Sequence, residues 1–217
     1  IVIIVLMLSL VVLTWWLWVR GRSTKGKKAR TLWYYVGDNE DMSHLIEHDL
    51  RILLSTRLPT GVNVVACIRG RTRIEYSHIK NSWTTMESDQ YVTFLDFLSI
   101  IRRSSSFETH ENIIWYAGHS FSYYLRPSKH EYISVKDIRE ALPHPVDLLI
   151  FDSCAMASIE CALELKDCTR YIIACESYGA DRGFMSINGL LSLFGDQIEN
   201  ACVSVIDAAQ PKPTESW

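Results

Sequence analysis

The chain has 217 residues, 48% of them hydrophobic, and a formal net charge of −3. That length allows one domain with appendages around a sizeable core, and so small a net charge gives no surface suited to nucleic acid. The six cysteines, Cys67, Cys154, Cys161, Cys168, Cys175 and Cys202, show neither CxxC nor metal-ligand spacing and read as mostly reduced thiols of a cytosol-like compartment.

Ile1 to Val19 carries no charge and is dominated by Ile, Val, Leu and Trp. It is just long enough to span a bilayer as a helix, and Trp15, Trp16 and Trp18 cluster at its end as an interfacial belt does. Arg20, Arg22, Lys25, Lys27, Lys28 and Arg30 follow. A signal peptide carries its positive charge before the apolar run, so the pattern predicts a single-pass anchor in membrane lipid, with the rest of the chain on the cytoplasmic side. The alternative, a buried core helix, lacks any polar face in its favour. Residues 20–30 then form a basic linker suited to anionic headgroups, residues 31–210 the globular domain and residues 211–217 a tail.

Leu32 to Val36 reads as a first strand ending at Gly37-Asp38-Asn39. Asp41 to Ser55 reads as an amphipathic helix with Leu45, Ile46, Leu50, Leu53 and Leu54 inward. His44 and His48 lie one turn apart on it; the spacing suits a metal, but no third ligand is evident and a solvated face is the better reading. Pro59 and Gly61 turn the chain into a second strand, Val62 to Ile68, with a hairpin arm over Arg71 to Ile79. Tyr91 to Arg102 is helical, with Phe94, Leu95, Phe97, Leu98 and Ile101 apolar. Asn112 to Ala117 is a buried-strand run that ends in Gly118-His119-Ser120. Phe121 to Pro127 reads as an irregular aromatic loop, followed by exposed Lys129 and His130, and Ser134 to Leu142 as a helix. Asp167 to Glu176 gives a fifth strand, Ser177 to Gly183 a polar loop, Gly189 to Phe194 a short helix and Ala201 to Asp207 a sixth strand.

Between these lies Leu148-Leu149-Ile150-Phe151-Asp152-Ser153-Cys154. The apolar run is too continuous for a half-exposed strand and fits one buried on both faces of a parallel sheet. Ala155, Ile159 and Leu163 then recur at helical spacing, which puts Cys154 at a strand-to-helix junction, at the sheet edge where open α/β folds carry their sites. A thiol there feels the helix N-terminus, which favours the thiolate; a buried structural cysteine is the other reading. Strand, helix, strand from Asn112 to Phe151 is a right-handed crossover that makes the two strands parallel. As neighbours, about 4.8 Å apart, they deliver His119 and Cys154 to one edge, a workable base and nucleophile.

Phe151 to Glu160, followed by Ala162-Leu163-Glu164-Leu165, resembles the clostripain family, in the clan of cysteine peptidases that includes caspases and legumains. Ile172 to Ser177 and Val203 to Asp207 are similar to family strands, and the resemblance spans roughly Leu32 to Asp207. It departs at the His motif, where the family has Gly and this chain has Ser120. The resemblance implies an α/β, caspase-like three-layer sandwich with a mostly parallel six-stranded sheet and helices on both faces. It implies a cysteine endopeptidase acting on a peptide or protein substrate through a thioester, with His119 and Cys154 catalytic. The oxyanion would be held by the backbone N–H of Cys154 and one near Gly118–Ser120. It further implies that Asp152 lines the pocket for the residue before the scissile bond, hence Arg or Lys there; an Asp capping the following helix is the alternative. Asp181 is a second pocket candidate by position. No cofactor is expected; calcium is required by some relatives, but no acidic cluster here demands it. Two other classes stay open. One is an inactive, membrane-anchored caspase-fold scaffold or virion or organelle structural protein, which Ser120 favours. The other is a different hydrolase or transferase using the same dyad.

Overall fold

The computed structural model describes residues 29–38, 40–77, 80–104, 107, 110–142, 145–176, 187–195 and 197–209. Strand β1 (Arg30–Val36) is buried at every position. A strand with no wet face needs a neighbour on each side and a layer on each face. β1 has both. It pairs in parallel with β2 (Val62–Ile68) on one side and β5 (Glu111–Ala117) on the other. β5 pairs in parallel with β9 (Val146–Asp152), and β9 with β10 (Thr169–Ala174). Beyond β2, β3 (Thr72–Ser77) and β4 (Ser82–Glu87) run antiparallel. The result is a seven-stranded, mainly parallel sheet of order β10-β9-β5-β1-β2-β3-β4.

Side chains alternate across the strands and build two cores. On one face Leu32, Tyr34, Val64, Trp115, Leu148 and Ile150 meet α1 (Ser43–Ser55), α5 (Ile187–Gly195) and α6 (Ile198–Ala209). On the other, Trp33, Tyr35, Ile114, Tyr116, Leu149 and Phe151 meet α2 (Phe94–Arg103), α3 (Val135–Ala141) and α4 (Ile159–Leu165). Each large apolar side chain buried this way contributes roughly 1.5–3 kcal/mol. The second face is rich in aromatics: Tyr35 packs on Phe94, Phe97 and Tyr116 with ring centroids 5.2, 5.6 and 6.3 Å apart. Capping boxes fix the starts of α2 (Thr93 with Asp96) and α3 (Ser134 with Asp137), so both helices begin where the local sequence specifies.

Several expectations are corrected. The sheet has seven strands, not six, because the hairpin arm joins it as β3 and β4 while the expected sixth strand does not. Residues 201–207 lie in helix α6. Its β-branched residues imitate a strand, but the buried positions are Ile198, Ala201 and Val205, a helical spacing that leaves Val203 and Ile206 outside. The aromatic segment after His119 is not irregular: β6 (His119–Phe121), β7 (Tyr124–Ser128) and β8 (Glu131–Ser134) form a small antiparallel sheet. Helix α4 starts at Ile159, capped by Ser158, and buries Cys161 and Leu165 while Ile159 and Leu163 face solvent. On α1, Leu53 is buried and Leu54 exposed. Arg30 belongs to β1 rather than to the linker; it is only 8% exposed and its Nε lies 2.5 Å from Glu111. His44 and His48 are exposed, and none of the six cysteines is in a disulfide.

The expected anchor, the basic run to Lys28, Asp181 and the tail lie outside the described residues. Among the described residues no helix is long and apolar enough to cross a membrane.

Candidate active site

β5 and β9 end side by side. Their register sets Ala117 opposite Asp152, and the Gly118 amide donates to the Asp152 carbonyl at 3.2 Å. Two residues further along each strand stand His119 and Cys154, at the carboxyl edge of the sheet. The Ser120 hydroxyl then donates to the Cys154 carbonyl in a short hydrogen bond, tying the two strand ends together beyond the ladder.

The turn into His119 is shaped from below. The Tyr116 hydroxyl, wholly buried, donates to the His119 carbonyl at 2.9 Å. It passes directly under Gly118, where an added Cβ would lie 2.6 Å from the hydroxyl oxygen. Only glycine fits that position while Tyr116 keeps its bond. Of the amides expected to hold an oxyanion, those of Gly118, Ser120 and Cys154, that of Gly118 donates to the Asp152 carbonyl. Ser120, the departure from the family pattern, is not strained. It is paired within β6 and is not among the residues with positive φ.

The imidazole of His119 is about one-quarter exposed, and its Nε2 lies 2.9 Å from Asp41 Oδ2. Asp41 sits in the 3₁₀ turn Glu40–Met42 that follows β1. Its hydrogen bond to His119 is the main influence holding its carboxyl below the usual range.

Cys154 is half-buried. The chain around it is held in an uncommon shape: Ala155 adopts φ +52°, a left-handed conformation that costs a non-glycine residue about 1–2 kcal/mol. The Ala157 amide donates to the Cys175 carbonyl at 2.9 Å, so the end of β10 secures the far side of the loop. Because α4 begins only at Ile159, the thiol stands before the helix and not on its first turn. The expected influence of that helix N-terminus on the thiol therefore drops out, since the effect is confined to the first turn.

Asp152 is 9% exposed and does not cap the helix, a task Ser158 performs. By strand alternation it continues the row Leu148, Ile150 on the α1 face. There it interacts electrostatically with Asp49 of α1, which is 5% exposed and accepts a 2.7 Å hydrogen bond from the Tyr34 hydroxyl. Burial pushes Asp49 up to about 7; the Tyr34 bond opposes this, and the Asp152 charge adds to it. Among the described residues no three His, Cys, Asp or Glu side chains are placed to hold a metal ion.

The structure thus brings His119, Cys154 and Asp152 to one sheet edge, and adds Asp41, Asp49 and the Ser120 hydroxyl. Asp49 was readable, since it lies four residues from both Leu45 and Leu53 on the inward stripe of α1. Asp41 was not, because only the strand order puts the turn after β1 beside the end of β5.

The clostripain family profile matches residues 85–185. Among solved structures, a secreted C11 cysteine protease from Bacteroides thetaiotaomicron, in complex with an irreversible peptide inhibitor, is similar at TM-score 0.67 and 18% identity over 83% of this chain and 57% of that one. A structure of a secreted C11 cysteine protease from the same organism, "iotapain", gives TM-score 0.63 at 15% identity, over 84% of this chain and 61% of that one. An inactive zymogen C11 protease from Parabacteroides distasonis gives TM-score 0.64 at 17% identity, over 84% and 58%. At such identities the likeness is one of fold, and the chain spans between 57% and 61% of the length of these structures. No curated protein matches.

Proposed function

We propose that this chain, a clostripain-like family member, is a cysteine endopeptidase that uses His119 and Cys154 and prefers Arg or Lys before the scissile bond. The observation that carries the reading is the in-register parallel pairing of β5 with β9, which brings both residues to adjacent strand ends.

In this mechanism the Cys154 thiolate attacks the substrate carbonyl carbon, and backbone amides at the strand ends hold the oxyanion. The C–N bond breaks as His119, having taken the thiol proton, gives it to the leaving amine. Water, deprotonated by His119, then attacks the thioester carbonyl. The C–S bond breaks, and the carboxylic acid and the Cys154 thiol are restored. Asp152 receives the substrate cation: a nearly buried carboxylate facing a guanidinium gains a charge-assisted, bidentate pair.

An acyloxymethyl ketone carrying Arg tests both halves of the reading. It is expected to label Cys154, and an analogue with an uncharged residue there to label it at least tenfold more slowly. In Asp152→Asn that ratio is expected to collapse towards one with the melting temperature little changed. Labelling elsewhere than Cys154 would remove the enzyme reading, and an unchanged ratio in Asp152→Asn would remove the specificity.

We further propose that Ile1–Val19 anchors the domain in a bilayer, with the domain on the cytoplasmic side, supported by the uncharged run and the cationic flank that follows it. The protein should then need detergent for extraction, and deletion of residues 1–19 should release it; extraction by carbonate alone would count against the anchor.

A further inference from the structure

The dyad described above accounts for one ring nitrogen of His119. The other has a partner of its own. Asp41 Oδ2 lies 2.9 Å from His119 Nε2, across 78 positions of chain. Asp41 is carried there by a one-turn 3₁₀ segment placed by β1, the strand hydrogen-bonded to β5. The Gly37 amide donates to the Ala117 carbonyl at 2.9 Å, fixing the start of that turn against the end of β5. With Nε2 given to Asp41, Nδ1 is the ring nitrogen left to serve a reacting group.

We propose that Asp41 is a positioning residue of the site: it holds the His119 ring with Nδ1 available to Cys154 and stabilises the imidazolium that forms when the thiol proton moves to His119. The proposal rests on the reading of His119 and Cys154 as the reacting pair. The charged groups beside His119 are Asp41 from the turn and Arg126 from β7, which stands opposite it in the ladder, while Cys154 lies two residues past the end of the neighbouring β9. His119 is what chiefly draws the Asp41 carboxyl down, and the Arg126 charge acts on it in the same sense. Asp41 is also largely exposed, its side chain at 70%. An interaction so open to water is modest and sensitive to salt.

The test uses iodoacetamide on the full-length chain, which requires neither a substrate nor the acidic pocket. Cys154 alkylation is followed from pH 5 to 9 for the parent and for Asp41→Asn, Asp41→Glu and His119→Ala. In the parent, His119→Ala is expected to slow labelling near neutral pH. Asp41→Asn is expected to slow it about fivefold and to move the alkaline limit of the fast phase to lower pH; Asp41→Glu is expected to restore most of the rate. At about 1 M salt the parent is expected to fall towards the Asp41→Asn rate. A merely structural Asp41 would change the melting temperature and not the pH profile. If His119→Ala leaves labelling unchanged, the dyad itself is wrong. If His119→Ala slows labelling but Asp41→Asn gives the parent profile, the dyad stands and Asp41 has no part in it.

Discussion

Replacing His119 by Ala is expected to slow peptide hydrolysis by about 10²–10⁴-fold, the usual contribution of a positioned general acid–base. The protein should remain folded, because the imidazole packs into neither core and its backbone is held independently by the Tyr116 hydroxyl. Cys154→Ala, which removes the nucleophile, is expected to leave no thioester route at all, and the double variant should be no worse than Cys154→Ala. Turnover of an Arg-containing peptide, read beside a thermal melt for each variant, separates lost chemistry from lost fold. Full turnover in either single variant would move the chemistry away from this sheet edge.

Asp49→Asn is expected to change how stability depends on pH. In the unfolded chain this carboxyl ionises near 4, whereas burial holds it up to about 7 in the fold. Between those values the folded state keeps a proton that the unfolded state has released. The native protein therefore binds more protons there, and stability falls as pH rises through that window. At about 1.4 kcal/mol for each pH unit between about 4 and about 7, the loss reaches at most about 4 kcal/mol. It is present in full above pH 7 and absent below pH 4. An amide has no charge to bury and can still accept from Tyr34. Asp49→Asn should thus match the parent near pH 4 and exceed it increasingly as pH rises to 8. Urea midpoints across pH 4 to 8 read this directly; parallel curves for the two proteins would mean that burial does not hold the Asp49 proton.

The sheet core was largely legible from residue patterning alone. Leu148 to Phe151 and Asn112 to Ala117 read as strands buried on both faces, and both are. The pairing of their ends followed from one crossover rule. Ambiguity entered where two periods coincide. Val203, Val205 and Ile206 suit a strand by their branching, but Ile198, Ala201 and Val205 take the helix because that spacing fills the space beside α5. After Cys154, Ile159 and Leu163 gave the apolar spacing expected of a helix face, yet the buried pair is Cys161 and Leu165. An apolar side chain can stand in water at modest cost, whereas the small thiol fits against Ser122 at 3.5 Å. The candidate site divides in the same way. His119, Cys154 and Asp152 were legible because strand ends are where chains deliver chemistry. Asp41 and the Ser120 hydroxyl depend on which strands are neighbours and on where a loop turns, and neither is written in local periodicity.

The placement of β5 between β1 and β9 has a consequence in time. Parallel neighbours cannot be joined by a tight turn; each must wait for a crossover to be laid down. His119 meets Asp41 across 78 positions and Ser120 meets Cys154 across 34, and contacts so remote in sequence are slow to form because loop closure precedes their reward. A chain emerging from the ribosome carries His119 long before β9 exists, and β9 reaches its place only once β5 is there to receive it. On the proposed reading of His119 and Cys154 as the reacting pair, a chain in which β9 has not docked beside β5 holds the two groups apart and is expected to be chemically silent, its reactivity arriving with the strand that completes the centre of the sheet.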